Sequence, residues 1–553
     1  MTGACSWLLR TAPAHLRLLL RGHSFSVLSL AARGCRSSAL AAIALASIGP
    51  AQDGGLHHTW RIVEPLESKV STGGGLLGLP FSTGFQGGGV LSGWGVSHDA
   101  TNDVFLVAWT EVSNQTLNDE TYGRLVSPSG DLIGPLLCLN CSVAPGSQYV
   151  QGVANVDGRD AFVVWINRHN PVVVDAATGT IQTVASLSTG SAGLDRAAIS
   201  GSRGQGESRF VAVRVDLQPP EIVATSYDLG PSGTIVVSSS VRISTWSGAQ
   251  APEIFISKDG GESGRRLVVW DEGGQILGAV LDRDLNIVDQ GPIRVSAETK
   301  YAPVVDGDGR QWVVSYGTPN EGVKSVPVFW DSGTSQAWVG PEVIVDPGTN
   351  GFTRGAAWVG ESVLVGSGVG STSMPPPQRG VVSIDPFTCE PCQGRFLTTT
   401  SNKKIAHQPG GDIAFLSDSI GVVQRFQVND GITTDLGGGC GSGGWAAATC
   451  AIAGNQDFTL RLRDAARSTP AFVALGGQRL DFPCGTCTLV PNPIFVVGAG
   501  LTNAVVGNAE LKVPLANDPA LIGGTFLMQW LTVTTGSCSL GLEFSNALSV
   551  QIQ

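Results

Sequence analysis

Short runs of apolar, strand-forming residues recur along most of the chain, with a period of roughly fifty residues. The first clear run is Val104–Trp109, which is followed by a further apolar segment at Tyr122–Val126 and a turn. These runs are apolar at successive positions instead of alternating, and this is typical of strands covered on both faces. Such strands need neighbours on each side, which a stack of similar units provides.

Seven copies of a strand–turn–strand–loop–strand–turn–strand unit can be followed through residues 93–436. Four short antiparallel strands per copy predict the blade of a β-propeller. The third and sixth copies fit least well, and the Gly-rich lead-in at residues 53–92 holds one more candidate strand, Thr59–Val63. We therefore predict an all-β protein with a propeller of about seven four-stranded blades, with six or eight as the alternatives.

The pattern changes after the seventh copy. Residues 437–444 consist of glycine, serine and one cysteine, which is typical of a linker. Residues 445–553 are again rich in short apolar runs, among them Thr525–Val533 and Leu540–Phe544, and predict a small β-sandwich-like C-terminal domain.

Residues 1–52 are interpreted as a signal or leader region. They contain five arginines and no acidic residue, and their apolar run, Ala39–Ile48, is followed by small and polar residues. The run is short for a membrane span, so we expect a signal cleaved near Ala51 and a secreted or cell-surface protein without a membrane span. A mitochondrial-type presequence and a misplaced start site are the alternatives.

Composition narrows the possible partners. The chain has 74 glycines and only 14% charged residues, as expected for many short strands joined by tight turns. Its formal net charge is -11, and the charge becomes more negative when the arginine-rich leader is removed. Nucleic-acid binding needs clustered Lys and Arg, so nucleic acid is excluded as an expected partner.

Nine cysteines lie outside the leader, and six of them form three Cys-x-x-Cys pairs. In an oxidising compartment most should form disulfides, with at least one thiol left over because the number is odd. Zinc binding would require two pairs to meet across the ring, and no βαβ pattern supports redox catalysis. The candidate disulfide cysteines are Cys138, Cys141, Cys389, Cys392, Cys440, Cys450, Cys484, Cys487 and Cys538.

Candidate catalytic and metal motifs are weak. Asp282–Asn286 and Asp306–Gly309 resemble parts of calcium loops, but both fall where the repeat predicts hairpin turns, which favour Asp and Gly. His98 and His407 occupy similar positions in the first and seventh copies, and we interpret them as surface residues near turns instead of a shared metal site. The chain has no Gly-x-Ser-x-Gly motif or phosphate loop. We therefore predict no catalytic residue, no bound metal and no cofactor.

The C-terminal region carries a set of recognisable short motifs. Its more specific members are the pair Gln529-Trp530 and the run Ser545–Leu548; the others are Gly439–Gly443, Gly454-Asn455, Phe458–Leu460, Cys487–Pro491, Val513-Pro514, Asp518-Pro519, Leu521–Gly523 and Phe526. Together they resemble a C-terminal domain found on many secreted planctomycete-type bacterial proteins. The resemblance implies an exported modular protein whose variable N-terminal part is often a propeller, and it brings no catalytic residues. Cys450 and Cys484 depart from that pattern, so no disulfide pairing is carried over.

These observations predict an exported, monomeric, non-catalytic binding or cell-surface interaction protein. Its expected ligand is extracellular, either a glycan or a cell-surface protein. A hydrolase or lyase that acts on polysaccharide in the propeller channel is the first alternative. Paired carboxylates with His or Arg at the channel mouth would favour it, and a channel of small apolar residues would exclude it. A structural envelope component is the second alternative.

Overall fold

The computed structural model describes residues 75–82, 93–112, 119–140, 149–166, 170–184, 194–203, 206–247, 251–258, 261–289, 293–296, 301–360, 362–370, 378–392, 396–397, 404–408, 413–417, 422–428, 432–441, 443–504, 506–534 and 538–553. They belong to two compact units. The first, Val70–Gly431, is called the propeller unit, and the second, whose described part is Ile432–Gln553, the C-terminal unit. The leader and the candidate strand Thr59–Val63 lie outside the described residues.

The propeller unit begins with β1 (Gly75–Ser82). The first three blades follow in chain order: β2 (Trp94–Asp99), β3 (Val104–Val112), β4 (Asp119–Val126), β5 (Leu132–Asn140); β6 (Val150–Val156), β7 (Ala161–Ile166), β8 (Asn170–Asp175), β9 (Ile181–Val184); β10 (Leu194–Ser200), β11 (Arg209–Leu217), β12 (Pro220–Leu229), β13 (Ile235–Thr245).

The next four sheets complete the ring. Their strands are β14 (Ile254–Ile256), β15 (Arg266–Glu272), β16 (Gln275–Leu281), β17 (Ile293–Ser296); β18 (Tyr301–Gly307), β19 (Gln311–Thr318), β20 (Gly322–Asp331), β21 (Gln336–Val339), β22 (Val343–Asp346); β23 (Thr349–Trp358), β24 (Val363–Gly370), β25 (Gln378–Ile384), β26 (Phe396–Leu397); β27 (Lys404–His407), β28 (Ile413–Ser417), β29 (Val422–Gln427). Short 3₁₀ turns lie at Asp157–Arg159 and Gly261–Ser263.

The described residues of the propeller unit thus form seven antiparallel sheets, and the strand that completes the seventh comes from the other end of the unit. β1 pairs antiparallel with β29, from Gly75 opposite Gln427 to Ser82 opposite Val422. The first strand of every blade also contacts the first strand of the next, and β27 contacts β2. These contacts close the ring, and the predicted seven-bladed propeller is confirmed.

The second strand of each blade supplies the core between blades. On β3, Leu106 and Ala108 pack with blade 2, whereas Phe105, Val107 and Trp109 pack with blade 7. The Phe105 ring stacks on the Phe415 ring with centroids 4.0 Å apart. Alternate side chains therefore serve two different neighbours, which explains why this run is apolar at every position.

The first strands are harder to recognise in the sequence because they pack closely near the ring axis. A Cβ on Gly95 would lie 2.8 Å from a methyl of Val153, and one on Gly152 would lie 2.7 Å from a methyl of Ile199. Small and polar residues therefore replace the usual strand formers here. For this reason the sequence pattern missed β10, the first strand of the third blade.

The C-terminal unit is also built from strands, with one 3₁₀ turn at Pro519–Leu521. Its strands are β30 (Ile432–Gly437), β31 (Trp445–Thr449), β32 (Thr459–Arg463), β33 (Pro470–Gly476), β34 (Arg479–Cys484), β35 (Cys487–Pro491), β36 (Phe495–Leu501), β37 (Ala509–Lys512), β38 (Thr525–Val533) and β39 (Leu542–Gln551). They form a five-stranded sheet (β30-β39-β38-β33-β36), a three-stranded sheet (β31-β32-β37) and the hairpin β34-β35. The two sheets share one core, to which Leu460 and Leu462 contribute from one side and Met528 and Trp530 from the other.

The glycine-rich stretch predicted as a linker lies inside the C-terminal unit. β30 precedes it and pairs with β39, and Cys440 within it bonds to Cys487. Gly443 approaches the Phe544 backbone so closely that a Cβ would lie 2.1 Å from that carbonyl oxygen. Glycine is needed here for close packing of the backbone, so the composition that resembles a flexible linker has a different cause.

The motif residues of the C-terminal unit form a buried hydrogen-bond cluster. Gln529 Oε1 accepts from the Val490 N–H at 2.9 Å, and its Nε2 donates to the carbonyl oxygens of Thr488 and Ser545. Ser545 Oγ accepts from the Trp530 N–H at 3.0 Å, and Asn546 Oδ1 accepts from the Ala446 N–H at 2.7 Å. The Gln-Trp and Ser-Asn-Ala-Leu motifs therefore join strands within this unit.

Disulfides are present in the described residues, as expected. Cys440 bonds to Cys487, and Cys484 bonds to Cys538. Cys484 and Cys487, which form one Cys-x-x-Cys pair in the sequence, therefore bond to different partners. Three more candidates, Cys138, Cys392 and Cys450, are also disulfide-bonded. Cys389 is instead a free thiol that is fully buried, and burial raises its pKa well above the usual value. Cys141 lies outside the described residues.

No helix in the described part of the chain is long and apolar enough to cross a membrane.

Candidate functional site

The first strands of the seven blades surround a central channel of about 570 Å³. Each of these strands contributes residues to its lining. This volume falls within the range of about 300–1,000 Å³ that is usual for small-molecule sites. The channel is therefore the principal candidate site of the propeller unit.

β-Bulges place polar side chains at the end of the channel where the first strands begin. Gln151 is the extra residue between Val150 and Gly152 on β6, and Arg354 is the extra residue between Thr353 and Gly355 on β23. Arg196 lies in a similar irregularity of β10. A bulge changes the direction in which a side chain projects and is often found beside a functional site. The same irregularity in three blades brings these polar residues into the channel lining.

Positive charge is concentrated at this end, which is called the cationic end and is defined by Arg196, Glu253, Arg354 and Lys404. Arg196 Nη1 lies 3.3 Å from Glu253 Oε1. Lys404 comes from the opposite side of the ring, and its Nζ lies 4.3 Å from the centre of the Phe255 ring. Among the described residues, neither Arg354 nor Lys404 forms an ion pair.

Burial and neighbouring charge both act on Lys404. Burial and, to a lesser degree, the Arg354 charge lower its pKa from 10.5 to about 8, while the Glu253 charge acts in the opposite direction. Asp271, on the adjacent strand β15, accepts a hydrogen bond from the Glu253 backbone N–H, and burial raises its pKa. Lys404 thus lies near a second cation, and among the described lining residues Glu253 is the one carboxylate at this end of the channel.

The opposite end of the channel is crossed by buried polar contacts. Asp306 Oδ1 accepts from Arg203 Nη2 at 2.6 Å and from the Lys258 N–H at 3.1 Å, while Oδ2 accepts from the Trp358 N–H at 2.8 Å. Lys258 Nζ reaches Asn155 Oδ1 at 3.3 Å. The Arg203–Asp306 and Lys258–Asn155 contacts each join blades that are not neighbours, and the other two join Asp306 to the adjacent blades. This end therefore functions as a structural connection.

Lys258 should make the propeller unit more stable as the pH rises above 8. Burial, followed by the Arg203 charge, lowers its pKa from 10.5 to about 8. Between these two values the unfolded chain binds more protons than the folded one, so stability rises with pH. We expect wild type to gain stability relative to Lys258→Met between pH 7 and pH 10, as measured by urea unfolding. An unchanged difference between the two proteins would contradict this assignment.

The two histidines selected from the sequence lie at the ends of first strands. His98 is buried and its Nε2 lies 3.0 Å from Asp103 Oδ1, and burial lowers its pKa to about 4. Burial also raises the pKa of the adjacent Asp99 to about 6. His407 is buried and lines the channel, so the prediction of two surface histidines is wrong. In the described part of the chain, no three His, Cys, Asp or Glu residues are grouped to hold a metal ion.

The two acidic motifs have different roles. Asp282 caps a turn by accepting hydrogen bonds from the N–H groups of Asp284 and Asn286, as the sequence predicted. Asp308 accepts from the Arg310 and Gln311 N–H groups in the same way. Asp306, however, is the buried centre of the cross-channel contacts, which its turn-like sequence did not indicate.

Sequence reasoning missed all four residues of the cationic end. A charged residue among small residues in a short strand carries little signal when seen alone. Arg196, Arg354 and Lys404 lie on three different first strands, and they meet only because the ring brings those strands together.

No protein-family model matches the chain, and neither does any curated protein. Among solved structures, the chain is similar to the Cps50 (Swd1) β-propeller domain of Myceliophteria thermophila, with 10% identity over 63% of this chain and 99% of that chain and a TM-score of 0.41. It is also similar to the Dos1 propeller, with 11% identity over 64% of this chain and 95% of that chain and a TM-score of 0.39. The description of this chain as a β-propeller rests on its own seven sheets and their ring closure.

Proposed function

We propose that this chain is an exported, non-catalytic binding protein that takes an extracellular ligand in its propeller channel. The observation that carries the proposal is the channel itself, which is roomy at about 570 Å³ and has charged side chains aimed into one end by bulges. A channel that only closed the ring would need neither the space nor the unpaired charge.

Export is part of the proposal and is supported by two features. The leader has the composition of a signal, and disulfides are consistent with an oxidising, extracellular environment. The C-terminal motifs add the expectation of a planctomycete-type bacterial protein. In this proposal the mature chain is a monomer, and its C-terminal unit serves attachment, sorting or further binding.

The arrangement of carboxylates favours binding over hydrolysis. Most glycoside hydrolases need two carboxyl groups that flank the same bond. Glu253 is paired with Arg196 at one end of the channel, and Asp306 lies at the other, where both of its oxygens already accept hydrogen bonds. Asp271 supports the Glu253 backbone from behind the lining. A polysaccharide-active enzyme is the alternative function, and the experiment described next tests both.

A glycan and polysaccharide panel, scored for both binding and cleavage, tests the proposal. We expect at least one ligand to bind without product release, and Ala356→Trp to abolish that binding because an indole at this lining position would fill the channel. Ala177→Trp, on an exposed turn of the second blade, is the matched control and should bind normally.

Three results would contradict the proposal in different ways. Product release would favour the hydrolase or lyase. Binding that survives in Ala356→Trp would place the ligand outside the channel. Absence of binding together with tight association with cell-wall fractions would favour a structural envelope component.

A further inference from the structure

We propose that the cationic end of the channel binds a carboxylate of an acidic ligand the size of one or two sugar rings, with Arg354 and Lys404 as the recognising pair. This inference rests on the proposed function, since it names the chemistry of the ligand that the channel would take.

The first reason is that buried donors in the lining lack acceptors. Arg354 Nε and Trp94 Nε1 are both inaccessible to solvent, and neither has a hydrogen-bond partner among the described residues. Both side chains line the channel. A buried donor without a partner loses the hydrogen bond that it would make with water, and the loss is larger for a charged group, so such a donor is normally matched by an acceptor. A small rotation of these side chains toward the channel would let an oxygen-rich ligand supply that acceptor.

The second reason is the excess of positive charge at one place. Arg196 has Glu253 as its partner, which leaves Arg354 and Lys404 as neighbouring cations. The Lys404 ammonium lies over the Phe255 ring, which is a weaker partner than a carboxylate. Asp271 lies behind the lining and supports the backbone of Glu253. One ligand carboxylate between Arg354 and Lys404 would relieve the repulsion of these two cations.

The third reason is that the position of Arg354 is specified by the backbone. It is the unpaired residue of a bulge, and its guanidinium lies 6.0 Å from the Phe352 ring on the same strand. Arginine presents a planar set of donors that matches a carboxylate in a bidentate manner. Because the bulge fixes the direction in which this side chain leaves the backbone, less conformational entropy would be lost on binding.

The size of the channel and its aromatic lining indicate the body of the ligand. Trp94, Tyr149 and Phe255 line the same end, so the cavity combines apolar surface with a few polar groups. Such a lining suits a compact ring with one charged substituent better than an extended peptide. An acidic sugar has both the ring and the charged substituent, whereas an open-chain carboxylic acid has the charge without the ring.

The test measures binding of digalacturonate to the mature full chain by isothermal titration calorimetry. We expect its methyl ester to bind about tenfold more weakly or worse, because the charge-assisted contacts are lost. Arg354→Gln and Lys404→Gln should each weaken binding of the acid by a similar factor, while having little effect on the ester. Arg242→Gln, an exposed arginine on the outer strand β13, is the control and should bind as wild type. Binding of tricarballylate, an open-chain acid, is measured in the same way. Comparison with digalacturonate shows whether the site prefers an acidic sugar or takes any small carboxylic acid.

The outcomes separate this inference from the proposed function. If the ester binds as well as the acid, or if Arg354→Gln binds digalacturonate as wild type does, carboxylate recognition here is wrong. If only a neutral glycan binds, and Ala356→Trp blocks it, the inference fails but the binding function of the channel stands. If no ligand is sensitive to Ala356→Trp, both fail. Equal binding of tricarballylate supports the carboxylate site and assigns it to small acids.

Discussion

Replacing Asp306 by alanine should lower the free energy of unfolding of the propeller unit by about 3 kcal/mol or more. Asp306 is buried and accepts three hydrogen bonds, from Arg203, Lys258 and Trp358. Alanine would leave the Arg203 guanidinium without its carboxylate and two backbone N–H groups without acceptors. Each of these groups would then be buried without a partner, at a cost in free energy. The three hydrogen bonds together connect four blades.

The measurement is urea unfolding of the propeller unit in the full chain. Asp284→Ala is the control, because Asp284 is exposed and lies 3.5 Å from Arg209, and it should change stability by about 0.5 kcal/mol or less. Asp306→Asn keeps the shape and should give an intermediate loss. If Asp306→Ala unfolds at the same urea concentration as Asp284→Ala, the cross-channel contacts do not stabilise the ring.

Replacing Gln529 by leucine should cost the C-terminal unit about 3 kcal/mol. The side chain is fully buried, and its amide joins the hairpin strand β35 to β38 and β39 through Val490, Thr488 and Ser545. Leucine has a similar volume, so the change removes hydrogen bonds without creating a large cavity. One backbone N–H and two carbonyl groups would be left with fewer partners.

Chemical unfolding of the full chain, followed through the transition of the C-terminal unit, measures this effect. Gln478→Leu is the matched control, since Gln478 is exposed in the same unit. A loss confined to Gln529→Leu would show that the Gln-Trp motif is retained for folding. Equal stability of the two variants would instead point to a role outside the fold.

Much of the propeller was predictable from the sequence. Runs such as Val104–Trp109 are apolar on both faces because two neighbouring blades cover them, and this leaves a local pattern. The closing strand β1 was less visible, since its partner β29 lies more than three hundred residues away along the chain. The C-terminal unit shows the reverse problem. Residues 437–444 have the composition of a linker, and yet Gly439, Gly443 and Gly444 pack closely against the backbone of the unit.

The candidate site could not be predicted in the same way. Asp306 and Asp308 are two residues apart in one acidic turn motif, but the first lies at the channel and the second only caps the turn. Likewise, nothing in the sequence around Lys404 indicates that it meets Phe255 from the opposite side of the ring. Composition and local pattern carry no information on such distant pairings.

The sequence by itself determined the fold class, the repeated blade and the expectation of disulfides, because burial on both faces, turn chemistry and cysteine content are local properties. Only the tertiary structure decided which strand closes the ring, which cysteines pair and which charges meet in the channel. Each of these depends on contacts between residues far apart in the chain. Ring closure brings Arg196, Arg354 and Lys404 to the same end of the channel, where side chains that look unrelated in the sequence become one candidate site.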